Sequence, residues 1–150
     1  MSSHLHSPHG LNTTRTLEQL EACPWPAPEG DSTLMVERCH ALRKVPIGHL
    51  SPADLRLLLG QDIGVRFLMP LALDLLESDP LIEAEYYPGD LLHAAMSIPG
   101  DYWNSHAVEK QRLVRFAHSA RHKLTESTEP MPSARQLLGE IATFAGTRDT

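Results

Sequence analysis

Residues 62–77 read DIGVRFLMPLALDLLE, a stretch apolar on almost every side. A surface helix carries a polar face opposite its apolar stripe, so a segment without one belongs at the centre of a domain. Its expected buried residues are Ile63, Phe67, Leu68, Leu71, Leu75 and Leu76. Pro70 lies in the middle, where its ring would meet the carbonyl of Arg66, so the helix either kinks there or a second one opens at Pro70. Ser78, Asp79 and Pro80 close the segment. On its N-terminal side, Ser51, Pro52, Ala53 and Asp54 supply a cap, a proline at the first helical position and an acid in the first turn. Leu55, Leu57, Leu58 and Leu59 follow, with Gly60 as the expected left-handed stop.

Working outward, Thr16 and Gln19 form a capping box ahead of a short helix, which Pro24, Pro26 and Pro28 end. Asp31 or Ser32 caps a second helix with Leu34, Met35, Cys39 and Leu42 on one face, and Arg43 and Lys44 suit its negative end. Beyond the centre, Tyr86 and Tyr87 precede Pro88 in an extended connection, and Leu91, Leu92, Ala95 and Ile98 fit an amphipathic helix. Pro99 and Gly100 break the chain. Ser105 is the expected cap of a helix running to about Lys123, with Val108, Leu113, Phe116, Ala117, Ala120 and Leu124 as its stripe. A last helix starts at Ser133, buries Leu137, Leu138, Ile141 and Ala145, and stops at Gly146. Two-residue alternation is missing and no 20–50-residue period repeats. The pattern therefore predicts an all-α fold, a single compact domain of six to eight helices around the central apolar one, allowing one short strand or extended segment near Leu81 to Tyr87. Residues 1–15, with three histidines among small polar residues, read as a flexible tail, leaving 16–150 as the helical domain.

The 150 residues can bury a core without metal or disulfide staples. Thirteen Lys plus Arg against nineteen Asp plus Glu give a net charge of −6, which opposes sequence-independent binding to phosphate backbones, so direct contact with nucleic acid is not expected. The longest apolar run, Phe67 to Leu73, has seven residues, where a membrane span needs about 20. No secretory signal opens the sequence, so a cytoplasmic location is expected. Cys23 and Cys39 lack CxxC spacing and read as ordinary thiols.

Candidate catalytic signals are weak. His118 and His122 share a helix face at four-residue spacing but lack a third ligand, and the metalloprotease pattern needs a Glu where Ser119 stands. No nucleophile elbow or phosphate-binding glycine loop is present. Glu83 and Glu85 lack the apolar setting that would raise one pKa for acid catalysis. A helical enzyme would have to use His40, His49 or His93. The expectation is no enzyme, no cofactor and no metal. Charge distribution says more. Between Phe67 and Val108 stand seven acids, Asp74, Glu77, Asp79, Glu83, Glu85, Asp90 and Asp101, with no Lys or Arg. They are interleaved with Tyr86, Tyr87, Tyr102 and Trp103, residue types enriched at interface hot spots. Lys110, Arg112, Arg115, Arg121 and Lys123 crowd the helix that follows. Composition leaves two readings open, a binding face or a solvated acidic edge with its aromatics turned inward.

The run LRKVPIGHLSPADLRLLLGQDIGVRFLMPLALDLLESDPL, residues 42–81, followed by YYPGDLLHAAMSI, residues 86–98, resembles immunity proteins of bacterial contact-dependent growth inhibition, the CdiI class. Leu17, Leu20, Trp25, Ser32 and Cys39 fit the same pattern, so the resemblance spans roughly residues 16 to 104. It implies a small cytosolic, non-catalytic protein that binds and neutralises the C-terminal toxin domain of a very large exported protein. Such toxins are often nucleases with basic clefts, which an acidic partner would fit. Gly60, Gly64, Pro88, Gly89, Leu91 and Leu92 look like determinants of the fold. On this reading Asp74, Glu77, Asp79, Glu83, Glu85, Tyr86, Tyr87, Asp90 and Trp103 are the candidate toxin-facing residues, and the protein is a monomer when free and 1:1 with its toxin, without membrane insertion. A helical regulatory or adaptor protein that binds a basic host protein is the alternative.

Overall fold

A computed structural model describes residues 12–128, 131 and 133–146. Within them the chain forms eight α-helices and no sheet: α1 (Leu17–Glu21), α2 (Leu34–Leu42), α3 (Pro52–Gly60), α4 (Val65–Ser78), α5 (Asp90–Met96), α6 (Gly100–Asn104), α7 (Ala107–Glu126) and α8 (Ala134–Gly146). A single 3-10 turn, Ile47–His49, joins α2 to α3. The all-α expectation holds, and two isolated bridges, Thr16 with Pro46 and Glu83 with Pro88, replace the tolerated strand.

Local chemistry starts two helices as the sequence predicts. The Thr16 hydroxyl accepts from the Gln19 amide at 3.1 Å while the Gln19 side chain accepts from the Thr16 amide at 2.9 Å. Ser51 and Asp54 make the same reciprocal pair at 3.1 and 2.9 Å, with Pro52 first in the helix. Elsewhere the boundaries move. Thr33, one residue beyond the expected Ser32, caps α2 by accepting from the Val36 amide. His106 rather than Ser105 precedes α7, which continues past Lys123 to Glu126. α6, begun at Gly100, adds a short helix where the sequence predicted only a break.

α4 runs unbroken through Pro70. Its buried residues are Val65, Leu68, Met69, Ala72, Leu73 and Leu76, spaced at one-, three- and four-residue steps along one face, together with Pro70 beside it. Of the six expected at the centre only Leu68 and Leu76 are fully buried, whereas Ile63, Phe67, Leu71 and Leu75 pack half-buried around the core. α4 packs on α3, α5 and α7, and its hydrophobicity exceeds what these neighbours cover, since Ile63 just before it and Phe67, Leu71 and Leu75 within it stay only partly buried. α3 and α4 both pack on α5, and α7 packs on α4 and α8. Leu113, Phe116, Ala117, Ala120 and Leu124 form the buried stripe of α7, but Val108 is exposed.

Gly60 lies inside α3, and the left-handed residue is Asp62 (φ 61°). Its amide donates to the Leu59 carbonyl and that of Ile63 to Leu58, which closes the helix with the pair of bonds usual around a left-handed residue. Gly64 (φ 63°) and Gly89 (φ 91°) open α4 and α5, and each also permits close packing. A β-carbon would stand 2.7 Å from Leu17 at the first and 2.4 Å from Leu137 at the second. Residues 12–15, expected in the loose tail, are tied down: the Ile47 and Gly48 amides donate to the Arg15 and Thr13 carbonyls, each at 2.9 Å. The rest of that tail, residues 1–11, lies outside the described residues.

Arg43 departs furthest from its expected role. It is fully buried; its guanidinium pairs with Glu21, donates to the Cys23 carbonyl at 2.9 Å and lies 4.2 Å beneath the Trp25 ring. The proline-rich connection is therefore pinned to the domain by an arginine rather than by apolar burial.

Candidate functional site

The acidic tract organises around the loop of residues 81–89, between α4 and α5. Asp90, at the first turn of α5, is only 2% exposed. Its carboxylate accepts from the amides of Ala84 (2.7 Å), Glu85 (2.9 Å) and Tyr86 (2.7 Å). Three donors on one carboxylate fix the loop, since a charged acceptor makes each bond stronger than a neutral one. The Gly89 amide donates back to the Leu81 and Ile82 carbonyls at 3.1 and 3.2 Å. Asp90 therefore shapes the presented surface from inside and does not stand on it.

The remaining acids divide by partner. Glu85 lies 3.5 Å from both Arg38 and Arg56, and Arg38 also reaches Asp54 at 3.2 Å. Glu77 and Asp74 lie 3.0 and 3.6 Å from Arg112 of α7. A tract without a base of its own is thus partly compensated by arginines from α2, α3 and α7, which the linear sequence does not reveal. Asp79 uses one carboxylate oxygen to hold the Leu81 amide at 3.1 Å. Glu83 and Asp101 are exposed.

The aromatics divide in the same way. Trp103 is 6% exposed and packs edge-on against Tyr102 and Phe144, so it belongs to the interior. Tyr102 stacks on His106 and donates to Glu109 at 2.5 Å; burial, then that bond, push its phenol well above the ordinary value. Tyr87 is half-buried, and burial with the nearby carboxylates Glu140 and Asp90 raises its phenol too. Tyr86 is 65% exposed, with the Arg56 guanidinium 4.8 Å from its ring centre.

Tyr86 also lines a groove of about 260 Å³ with Leu34, Met35, Arg38, Arg56 and Leu57. The periodicity of α2 predicted that Leu34 and Met35 face the core, yet Leu34 is 84% exposed, Met35 and Val36 are exposed beside it, and of this helix only Cys39 is buried. The first turn of α2 thus leaves its apolar side chains in solvent.

A larger cavity of about 560 Å³ opens among α5, α6, α7 and α8. In its wall His93 Nδ1 meets Glu140 at 2.6 Å, and Gln136 donates to the other Glu140 oxygen at 3.1 Å. A histidine oriented by a carboxylate can act as a base, but both hydroxyls of this wall are committed to backbone: Ser97 donates to the His93 carbonyl and Thr143 to that of Gly139. Of the other histidines considered for catalysis, His40 packs edge-on against Trp25 and His49 is exposed. His118 is exposed, and His122 lies 3.1 Å from Glu126. Among the described residues no group of three or more His, Cys, Asp or Glu could hold a metal ion. No helix among them is long and apolar enough to cross a membrane.

A family model for CDI immunity proteins matches residues 19–113, more than half of the chain. No curated protein and no solved structure matches it. The matched stretch holds the 81–89 loop, Asp90, the three compensating arginines and every residue of the smaller groove. The larger cavity takes five of its lining residues from α8, beyond the match.

Proposed function

Because the chain belongs to the CDI immunity proteins, we propose that it binds the C-terminal toxin domain of its cognate contact-dependent growth inhibition exoprotein and neutralises it in the cytoplasm of the producing cell, as a non-catalytic 1:1 partner. Family membership is the observation that carries this reading. The charge pattern supports a basic toxin: the chain carries a net charge of −6, and Glu77, Asp79 and Glu83 remain exposed around the 81–89 loop. Of the toxin-facing set, Asp90 and Trp103 act from within the fold, while Asp74, Glu77 and Glu85 are shared with arginines, Glu77 keeping an exposed side chain. Glu77, Asp79, Glu83, Tyr86 and the exposed edge of Tyr87 would meet the toxin. Exposed acids of this kind steer a cationic partner and raise its association rate more than they deepen the final complex.

The test is co-purification with the toxin domain encoded directly upstream, together with protection of cells that express that toxin. The association rate is expected to fall as salt rises, because screening shortens the reach of exposed charge to a Debye length of about 8 Å near physiological ionic strength. Glu77→Lys with Glu83→Lys should slow association and weaken protection. If that double reversal leaves both intact while Arg115→Glu with Arg121→Glu abolishes them, the basic face of α7 grips an acidic toxin and the acidic assignment is wrong. No binding and no protection by the wild-type protein would refute the immunity reading itself.

A further inference from the structure

We propose that the groove between the first turn of α2 and the 81–89 loop is the anchor point of the toxin, taking an apolar or aromatic side chain that projects from a basic surface. This rests on the toxin-binding reading above and assigns it a place. Single exposed apolar residues are ordinary on a protein surface. Here Leu34, Met35 and Val36 are exposed in succession, and Leu34 and Met35 share one depression with Tyr86 and the buried Leu57. Buried aromatic and apolar anchors at the centre of a patch, ringed by polar groups, carry most of the binding energy in protein interfaces.

The charge around the groove selects the partner. Its two cations, Arg38 and Arg56, are already engaged by Asp54 and Glu85. Four further acids belong to the segments that frame it: Glu29 and Asp31 in the approach to α2, Glu37 in its first turn and Glu83 in the loop. With its two arginines paired to acids and four more acids on the segments that frame it, the groove favours a basic partner over an acidic one, so the occupant is a cationic toxin surface rather than a second copy of this acidic chain. The site is also preformed. Asp90 fixes the loop through three amides, and Arg56 supports one face of the Tyr86 ring, so little side-chain freedom remains to be lost when a partner closes over it. The larger cavity has more volume but no comparable exposed rim of apolar residues, and part of its wall lies outside the family match.

The experiment measures binding kinetics of the full-length protein with the upstream-encoded toxin domain for Leu34→Ala, Met35→Ala, Tyr86→Ala and, as a control on the exposed apolar surface of α7, Val108→Ala. All four positions are exposed, and matched urea midpoints would establish that folding is unchanged. Tyr86→Ala and Leu34→Ala are each expected to raise Kd at least tenfold, mostly through faster dissociation, while Val108→Ala stays within twofold. Tyr86→Phe should retain most of the affinity, which separates the ring from its hydroxyl. If the wild-type protein binds tightly and the three groove variants all remain within twofold of it, the groove is not the anchor, although the immunity reading stands. If the wild-type protein does not bind the toxin, both fail. If the groove variants instead abolish a concentration-dependent self-association and leave toxin binding intact, the occupant is a second copy and the proposal is overturned.

Discussion

Replacing Asp90 tests whether one buried carboxylate builds the presented loop. Its three bonds to the amides of Ala84, Glu85 and Tyr86 are 2.7–2.9 Å long. Hydrogen bonds to a charged group contribute about 1.5–3 kcal/mol each, so three summed naively give about 5 kcal/mol or more. The real loss is smaller, because Glu85 and Tyr86 lie on an exposed loop whose amides can turn to water once the carboxylate is gone. Asp90→Ala is therefore expected to destabilise the fold by about 3 kcal/mol. In a domain of this size that corresponds to a fall of about 6–12 °C in thermal midpoint. Asp90→Asn keeps the shape but turns an NH2 toward an amide donor, so roughly half that loss is expected. Urea unfolding followed by circular dichroism gives both values, and hydrogen exchange should show the amides of residues 84–86 losing protection ahead of α5. A loss below about 1 kcal/mol for Asp90→Ala would refute the argument, since that is the range of a single neutral hydrogen bond.

Leu68 is fully buried on α4 whereas Leu71, one turn further, is half-buried beside a shallow pocket near Ile47. Leu68→Ala should cost about 2–5 kcal/mol and Leu71→Ala about 1 kcal/mol in urea titrations; equal costs would mean that α4 is enclosed on all sides. Cys23 is exposed and Cys39 buried, with burial raising the Cys39 thiol. A thiol reagent under native conditions should label Cys23 at once and Cys39 only on unfolding; rapid double labelling would contradict the packing of α2 on α3. Burial, then the bond to Glu109, raises the Tyr102 phenol in the folded chain above the ordinary phenol value of 10.0. The fold holds the neutral form, so this contribution is complete below pH 10 and is lost as pH climbs from there toward the folded value. The urea midpoint of the wild type should therefore fall more steeply above pH 10 than that of Tyr102→Phe, and parallel slopes would show that the phenol is not held neutral by the fold.

The sequence by itself determined the all-α class, most of the helices and the starts of α1 and α3, because those signals act over three or four residues. Thr16 with Gln19, and Ser51 with Asp54, close reciprocal bonds within one turn, and nothing distant competes with them. The family pattern from Leu42 to Ile98 was equally legible, and it carried the immunity reading. What neighbours cover is a different matter. α4 is apolar all round, yet only tertiary packing decided that Leu68 and Leu76 are enclosed while Phe67 and Leu71 stay at the edge. The same holds for α2, where an apolar period at Leu34 and Met35 meets no partner and becomes an exposed patch. Charge shows the limit most clearly. Seven acids without a base form a one-signed field along the chain, but Glu85 finds Arg38 and Arg56, and Glu77 finds Arg112, across 29 to 47 residues of sequence. Electrostatic attraction depends on distance in space, and the chain order of two residues does not contain it until the helices have packed.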